Sequence, residues 1–334
     1  MSLYRSLSTA LGVGGLLAGA ALTPAFAQPI PAPQPVEAQR ASSSSADIAD
    51  VAIAPAGEGL VTSRQDSPVA PGVNYTAFER LDARGWLRGD ILATDLDKHG
   101  VTVDYVNTGK VSGGTPLSRQ LARKGAIAGV NGDFFDINDT TAPLGVGVER
   151  SGRLINAPAA GHNDTAVIGK DGLGSIAQLF LQGTATDDDA TKLELTNLNS
   201  PAVNSGGIGL YTPEWGDAAR TRTVDGLPTV REVILRDGVV VSSAATPATT
   251  PLAANEHALI GREAGANALI AFEVGDKVDV EYGLRPDAAN VAVGISGNYQ
   301  LAKDGVVPAD VPDADLAPRT AVGFDQDGVP VAGA

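Results

Sequence analysis

Apolar and polar residues in this chain alternate in short runs broken by turn residues, a pattern of strands rather than of long helices. Residues 91–97 and 101–106 flank Lys98, His99 and Gly100, which predicts a hairpin. Asp-Gly pairs recur at Asp171-Gly172, Asp225-Gly226, Asp237-Gly238, Asp304-Gly305 and Asp327-Gly328. Such pairs suit type I′ turns, whose two central residues both need positive φ. Residues 231–235 and 239–241 therefore read as strands on either side of Asp237-Gly238, and 277–282 and 290–295 as further strands. Helical signals are few. Thr115 is placed to cap a helix over 116–124, with Pro116 in its first turn and Gly125 just past its end. A weaker helix covers 262–271. No short repeat is visible. The expectation is an α+β domain, a β-rich mixed sheet with hairpins and a few covering helices.

The N-terminal region follows a different pattern. Arg5 precedes an uncharged apolar run over 10–22, and Ala25, Phe26 and Ala27 then form a small-x-small site. Residues 1–27 thus read as a signal peptide, too short in its apolar part to span a bilayer. Residues 28–70 carry Pro29, Pro31, Pro33, Pro35 and a serine run over 42–45, which predicts a flexible Pro/Ser-rich linker. The folded domain is expected from 71 to 334.

Composition narrows the function classes. The net charge of −15, or −16 once Arg5 is cleaved away, disfavours nucleic acid and anionic lipid as partners. The absence of cysteine excludes disulfides and thiolate chemistry, and export without disulfides fits a bacterial secretome. His99, His162 and His257 match no metal motif, so neither metal nor other cofactor is expected. Walker, nucleophile-elbow and dinucleotide-binding motifs are missing.

Two stretches could carry chemistry. In the first, an apolar run leads into Asn131, Gly132, Asp133, Phe134, Phe135 and Asp136. On pattern alone this is a hairpin turning at Asn131-Gly132. The sharper reading is a strand end presenting Asn131 and Asp133 to a ligand. Asp133, Asp136 and Asp139 lack EF-hand spacing, so a calcium site is a weak reading. In the second stretch, Pro318, Arg319 and Thr320 precede a short strand. There Arg319 is either a solvated cation or an anion clamp. Asp187, Asp188 and Asp189 read as a solvated loop tip.

Taken in order, several segments resemble the phosphodiester glycosidase domain family, which includes N-acetylglucosamine-1-phosphodiester α-N-acetylglucosaminidases. They are 126–135 with its Asn131-Gly132-Asp133-Phe134-Phe135 ending, then Pro143-Leu144-Gly145 with 152–155, then 209–216 with 232–239. Residues 293–305 and 318–323 complete the series. At Ser296, Gly297, Asn298 and Tyr299 the chain departs from the family's usual Gly-Gly pair. The family also continues past the Arg-Thr strand, so the domain is expected to be C-terminally incomplete at Ala334. The resemblance implies a secreted hydrolase that cleaves a sugar-1-phosphodiester bond in a glycosyl-phosphate or glycan substrate of the cell envelope. It implies Asp133 and Arg319 as catalytic groups, and Asn131, Gly132, Phe134, Thr320 and, less strongly, Glu214 as substrate-binding groups. The competing expectation is an envelope glycan-binding module without turnover.

Overall fold

The computed structural model describes residues 59–286, 288–309, 311, 318–324 and 330–333. By its internal contacts the chain divides into Met1–Ala52 and Ile53–Ala334, and every described residue belongs to the second unit. The signal-peptide reading and residues 28–58 of the expected linker lie outside the described residues.

In chain order the described elements begin with the meander β1 (Leu60–Ala70), β2 (Val73–Asp82) and β3 (Gly85–Thr94), followed by α1 (Leu117–Lys124). Then come β4 (Gly147–Val148), β5 (Leu154–Pro158), β6 (Asp164–Gly169), β7 (Gly174–Gln178), β8 (Phe180–Asp187), β9 (Lys192–Glu194), β10 (Asn197–Leu198) and β11 (Ile208–Tyr211). The series ends with β12 (Val230–Arg236), β13 (Val239–Ala244), β14 (Glu256–Arg262), α2 (Ala264–Ala268), β15 (Val278–Arg285), β16 (Val291–Ser296), β17 (Ala321–Phe324) and β18 (Pro330–Gly333).

These strands form three sheets. The largest has the order β13-β12-β14-β11-β10-β5-β4-β16-β6-β7. Its β10–β11 pair is parallel and its other pairs are antiparallel. A three-stranded sheet runs β15-β8-β9, and a five-stranded one runs β1-β2-β3-β18-β17.

Successive residues of a strand face opposite sides of the sheet. In β11, Leu210 joins one apolar cluster and Tyr211 the other. In β14, Leu259 goes to the first cluster, while Ala258 and Ile260 go to the second. The first cluster also holds Leu181, Ala185 and Val278, so the three-stranded sheet covers that face. The second holds Val111, Trp215 and Val224, so loops and short 3-10 turns cover the other.

The architecture is therefore mostly β, not the expected α+β. Only two α-helices occur among the described residues. α1 buries none of its residues, and α2 is five residues long. Sheet and loop, not helix, close the core. Three smaller expectations also change. Residues 60–70, read as linker, form β1, a strand of a thin sheet with nearly every residue exposed. The 91–106 hairpin does not form: β3 ends at Thr94, and Val101 N–H only closes a turn on the Lys98 carbonyl. Thr115 does not cap α1. Pro116 takes the N-cap position without a side-chain bond, and the Thr115 carbonyl accepts from Gln120 Nε2. The Asp-Gly reading fares better. Both residues have positive φ at Asp225-Gly226, Asp237-Gly238 and Asp304-Gly305, and Asp237-Gly238 joins β12 to β13. At Asp171-Gly172 only the glycine does, and Asp327-Gly328 lies outside the described residues.

A buried ion pair fastens the core loops to β12. Arg220 and Glu232 are 2% and 3% exposed and meet at 2.7 Å. Arg220 Nη1 donates to the Thr250 carbonyl at 2.7 Å, and Ala248 N–H donates to Glu232 Oε2 at 2.8 Å. Breaking such a pair from one side strands a buried charge, whereas replacing both partners by apolar groups does not. Glu232→Ala is expected to lower unfolding free energy in urea by about 3–5 kcal/mol. The double change Arg220→Met with Glu232→Leu should cost much less. Equal losses would show that the pair stabilises by packing and not by charge.

Candidate functional site around Asp133

Gly125 closes α1 in the left-handed region at φ 67°. The chain then runs through 126–132 without ladder pairing and turns at Asp133, whose φ is 61°. The hairpin read at Asn131-Gly132 is absent. A short one forms further on. Phe135 bridges Pro143, Asp136 N–H donates to the Ala142 carbonyl, and Leu144 N–H donates to the Phe134 carbonyl. Asp136 builds its turn, since its Oδ2 accepts the Thr140 N–H and hydroxyl, both at 2.8 Å. Asp139 pairs with Arg222. Asp136 and Asp139 are thus engaged away from Asp133, and no group of three or more metal-ligating side chains occurs among the described residues.

The Asp133 carboxylate points inward. Its Oδ1 accepts the Phe134 N–H at 2.6 Å and its Oδ2 accepts the Gly145 N–H at 2.9 Å. Burial pushes its pKa up to about 7, against these two backbone bonds, which favour the charged form. Around it lies a polar network from distant segments. Asn156 Nδ2 donates to the Gly145 carbonyl at 2.7 Å, and the Tyr105 hydroxyl reaches Asn156 Oδ1 at 3.3 Å. Ser296 Oγ accepts the Val146 N–H at 2.8 Å and lies 2.9 Å from Thr165 Oγ1. Burial, then the charges of Asp133 and Glu149, hold the Tyr105 phenol well above its ordinary range.

His162 has φ 50°, and its ring lies 5.9 Å from that of Phe134, tilted by 43°. Its Nδ1 is buried and meets no hydrogen-bond partner among the described residues, and burial lowers its pKa. Phe134 and Phe135 are about half exposed, so neither belongs to the core. The sequence did not single out Tyr105, Asn156, His162 or Thr165 for this site. Only the chain's scarcity of histidine pointed toward His162.

The two candidate stretches meet. Thr320 Oγ1 donates to Asn131 Oδ1 at 2.8 Å across 189 positions of sequence. Arg319 is exposed, and its guanidinium bonds to the neighbouring Pro318 carbonyl at 3.1 Å. Gly132 packs against β16, where a side chain would put Cβ 2.6 Å from Ile295 Cδ1. Glu214 stands apart from this cluster. It bonds to Arg153 and to the Thr212 hydroxyl, each at 2.7 Å. Burial raises its pKa, but the Thr212 bond and Arg153 outweigh that, so the net shift is downward. Glu214 is therefore a poor proton donor at neutral pH. Two clefts of about 130 and 290 Å³ share no lining residue with the Asp133 cluster.

A carboxyl whose folded pKa exceeds its unfolded value favours the fold at low pH and loses that contribution as pH rises through the folded value. For Asp133 the window runs from about 4 to about 7. Asp133→Asn removes this dependence. The unfolding free energy of the variant relative to wild type should therefore climb between about pH 4 and pH 7, with a limiting slope of about 1.4 kcal/mol per pH unit. A constant difference across that range would place the Asp133 carboxyl in solvent.

No family model matches this chain, and no curated protein does. Solved structures resemble it in fold. One is a hypothetical protein from Synechocystis, at TM-score 0.67 and 18% identity, over 81% of this chain and 52% of that one. Another is a Burkholderia pseudomallei protein inferred to be exported, at TM-score 0.65 and 18% identity, over 83% of this chain and 84% of that one. The chain thus spans about half the length of the Synechocystis protein. No helix among the described residues is long and apolar enough to cross a membrane.

Proposed function

We propose that this protein is a secreted hydrolase of sugar-1-phosphodiester bonds, acting on an envelope glycan or glycosyl-phosphate. The observation that carries the reading is the meeting of Asn131 and Thr320 two residues along the chain from the half-buried Asp133 carboxylate. It joins a carboxyl that titrates near neutrality to a segment bearing an exposed guanidinium. The N-terminal leader pattern supports secretion, and the likeness to a Burkholderia protein inferred to be exported agrees with it.

In this reading Arg319 holds the phosphate by charge-assisted bonds. Thr320 fixes Asn131 through its Oδ1, which leaves the Asn131 amide N–H₂ for sugar hydroxyls. Phe134, half exposed and backed by His162, offers a face to the sugar ring. The ionised Asp133 carboxylate stabilises or attacks the anomeric carbon. The glycosidic C–O bond breaks with its electron pair leaving on the phosphate oxygen, and water supplies the new hydroxyl. A phosphate monoester is a good leaving group, so little protonation of it is needed.

An N-acetylglucosamine-1-phosphodiester, with the matching phosphomonoester as control, tests the proposal. Release of free sugar from the diester is expected, with kcat/KM rising with pH through about 7. Asp133→Asn should lower kcat by about 10²–10⁴-fold. Arg319→Ala should abolish turnover of the diester. Saturable glycan binding by a cooperatively folded chain that releases no sugar would replace the enzyme reading with that of a binding module.

A further inference from the structure

The β1 strand lies at the edge of the five-stranded sheet and, among the described residues, pairs with β2 alone. Such an edge offers unpaired backbone groups to another strand, and proteins usually blunt it with lysine, proline or bulges. β1 has register shifts only near its ends, at Val61/Ser63 and Pro68/Ala70. Between them Ser63–Pro68 is regular and carries no lysine, and its one proline, Pro68, stands at the far end and leaves Ser63–Ser67 free of both.

That stretch is complementary to itself. Set antiparallel to a copy about a two-fold axis at Gln65, Ser63 faces Ser67, Arg64 faces Asp66, and Gln65 faces its own equivalent. Opposed side chains in such a pair lie about 5 Å apart, and opposite charges there attract. Arg64 and Asp66 share one face of the strand and are 63% and 57% exposed, so both can be reached from across the axis, although Asp66 also accepts from the Thr76 hydroxyl. They already pair with each other at 3.0 Å, so the two copies would form a ring of four alternating charges. Just beyond the regular stretch Val61 would approach the other copy's Val69, and both are exposed, at 53% and 43%.

We infer that β1 is a self-association edge, where two copies of this chain join their five-stranded sheets by antiparallel β1–β1 pairing across Gln65. The contact is isologous, so it closes at two copies and does not propagate. Five paired residues bury less than the roughly 1,000 Å² of a stable interface, so the dimer is reversible. The inference is independent of the chemistry at Asp133.

Sedimentation equilibrium of the purified chain over a micromolar concentration series tests it. Wild type should show a monomer–dimer equilibrium. Arg64→Asp sets two acids against each other and Asp66→Arg sets two bases against each other. Each should weaken association at least tenfold while the thermal melt stays cooperative. Combining the two changes restores opposite charges across the axis and should restore the dimer. A wild type that stays monomeric throughout, or a dimer indifferent to both single changes, overturns the inference. So does a double variant as weak as the singles, since the charges would then act without pairing across the axis.

Discussion

The site depends on there being no side chain at residue 145. A Cβ on Gly145 would stand 2.4 Å from the Ser296 Cβ, 2.8 Å from the His162 carbonyl oxygen and 3.0 Å from Asp133 Oδ1. Real Cβ atoms do not tolerate the first two approaches, so only glycine lets these three segments converge. Its backbone is used on both sides, since the N–H serves Asp133 and the carbonyl accepts from Asn156. The next residue continues the pattern, for Val146 exchanges backbone and hydroxyl bonds with Ser296. The orientation of Asp133 and the start of the β4–β16 pairing are two consequences of the same close contact.

The strands were legible wherever a sheet face or a turn left a local mark. The Asp237-Gly238 hairpin follows directly from a dipeptide that tolerates two left-handed residues. The fold class was not legible. β11 and β14 are buried along most of their length because the large sheet is covered on both sides, and their runs look alike whether a helix or a second sheet does the covering. Residues 60–70 were illegible in the opposite sense. A strand exposed on both faces has no apolar period to distinguish it from linker.

At the site, Asn131, Asp133 and Thr320 were singled out mainly because their segments resemble a known family, while local pattern alone favoured a plain turn. Even so, the local reading of Asn131-Gly132 as a turn failed. Gly132 is there to pack against Ile295, and the true turn is built by the side chain of Asp136 four residues further on. Tyr105, Asn156 and His162 were invisible for a different reason. Their part is set by contacts between separate segments, 11 positions apart for Asn156 with Gly145 and 51 for Tyr105 with Asn156, and a tyrosine or asparagine in a short apolar run leaves no local trace of which carboxylate it will approach.

Two carboxylates, Glu232 fully buried and Asp133 half-buried, show how this fold separates structure from chemistry. In each, both oxygens accept protein hydrogen bonds: Glu232 from Arg220 and Ala248, Asp133 from Phe134 and Gly145. Only Glu232 has a cation among its partners. Burying a charge without a counter-charge is costly, and the cost is relieved by taking up a proton, which is why Asp133 is driven toward neutrality. On the proposed reading, a permanently charged carboxylate would repel an arriving phosphodiester, whereas one partly protonated near pH 7 would admit the anion. With the phosphate held on a guanidinium, positive charge developing at the anomeric carbon would then favour the ionised form.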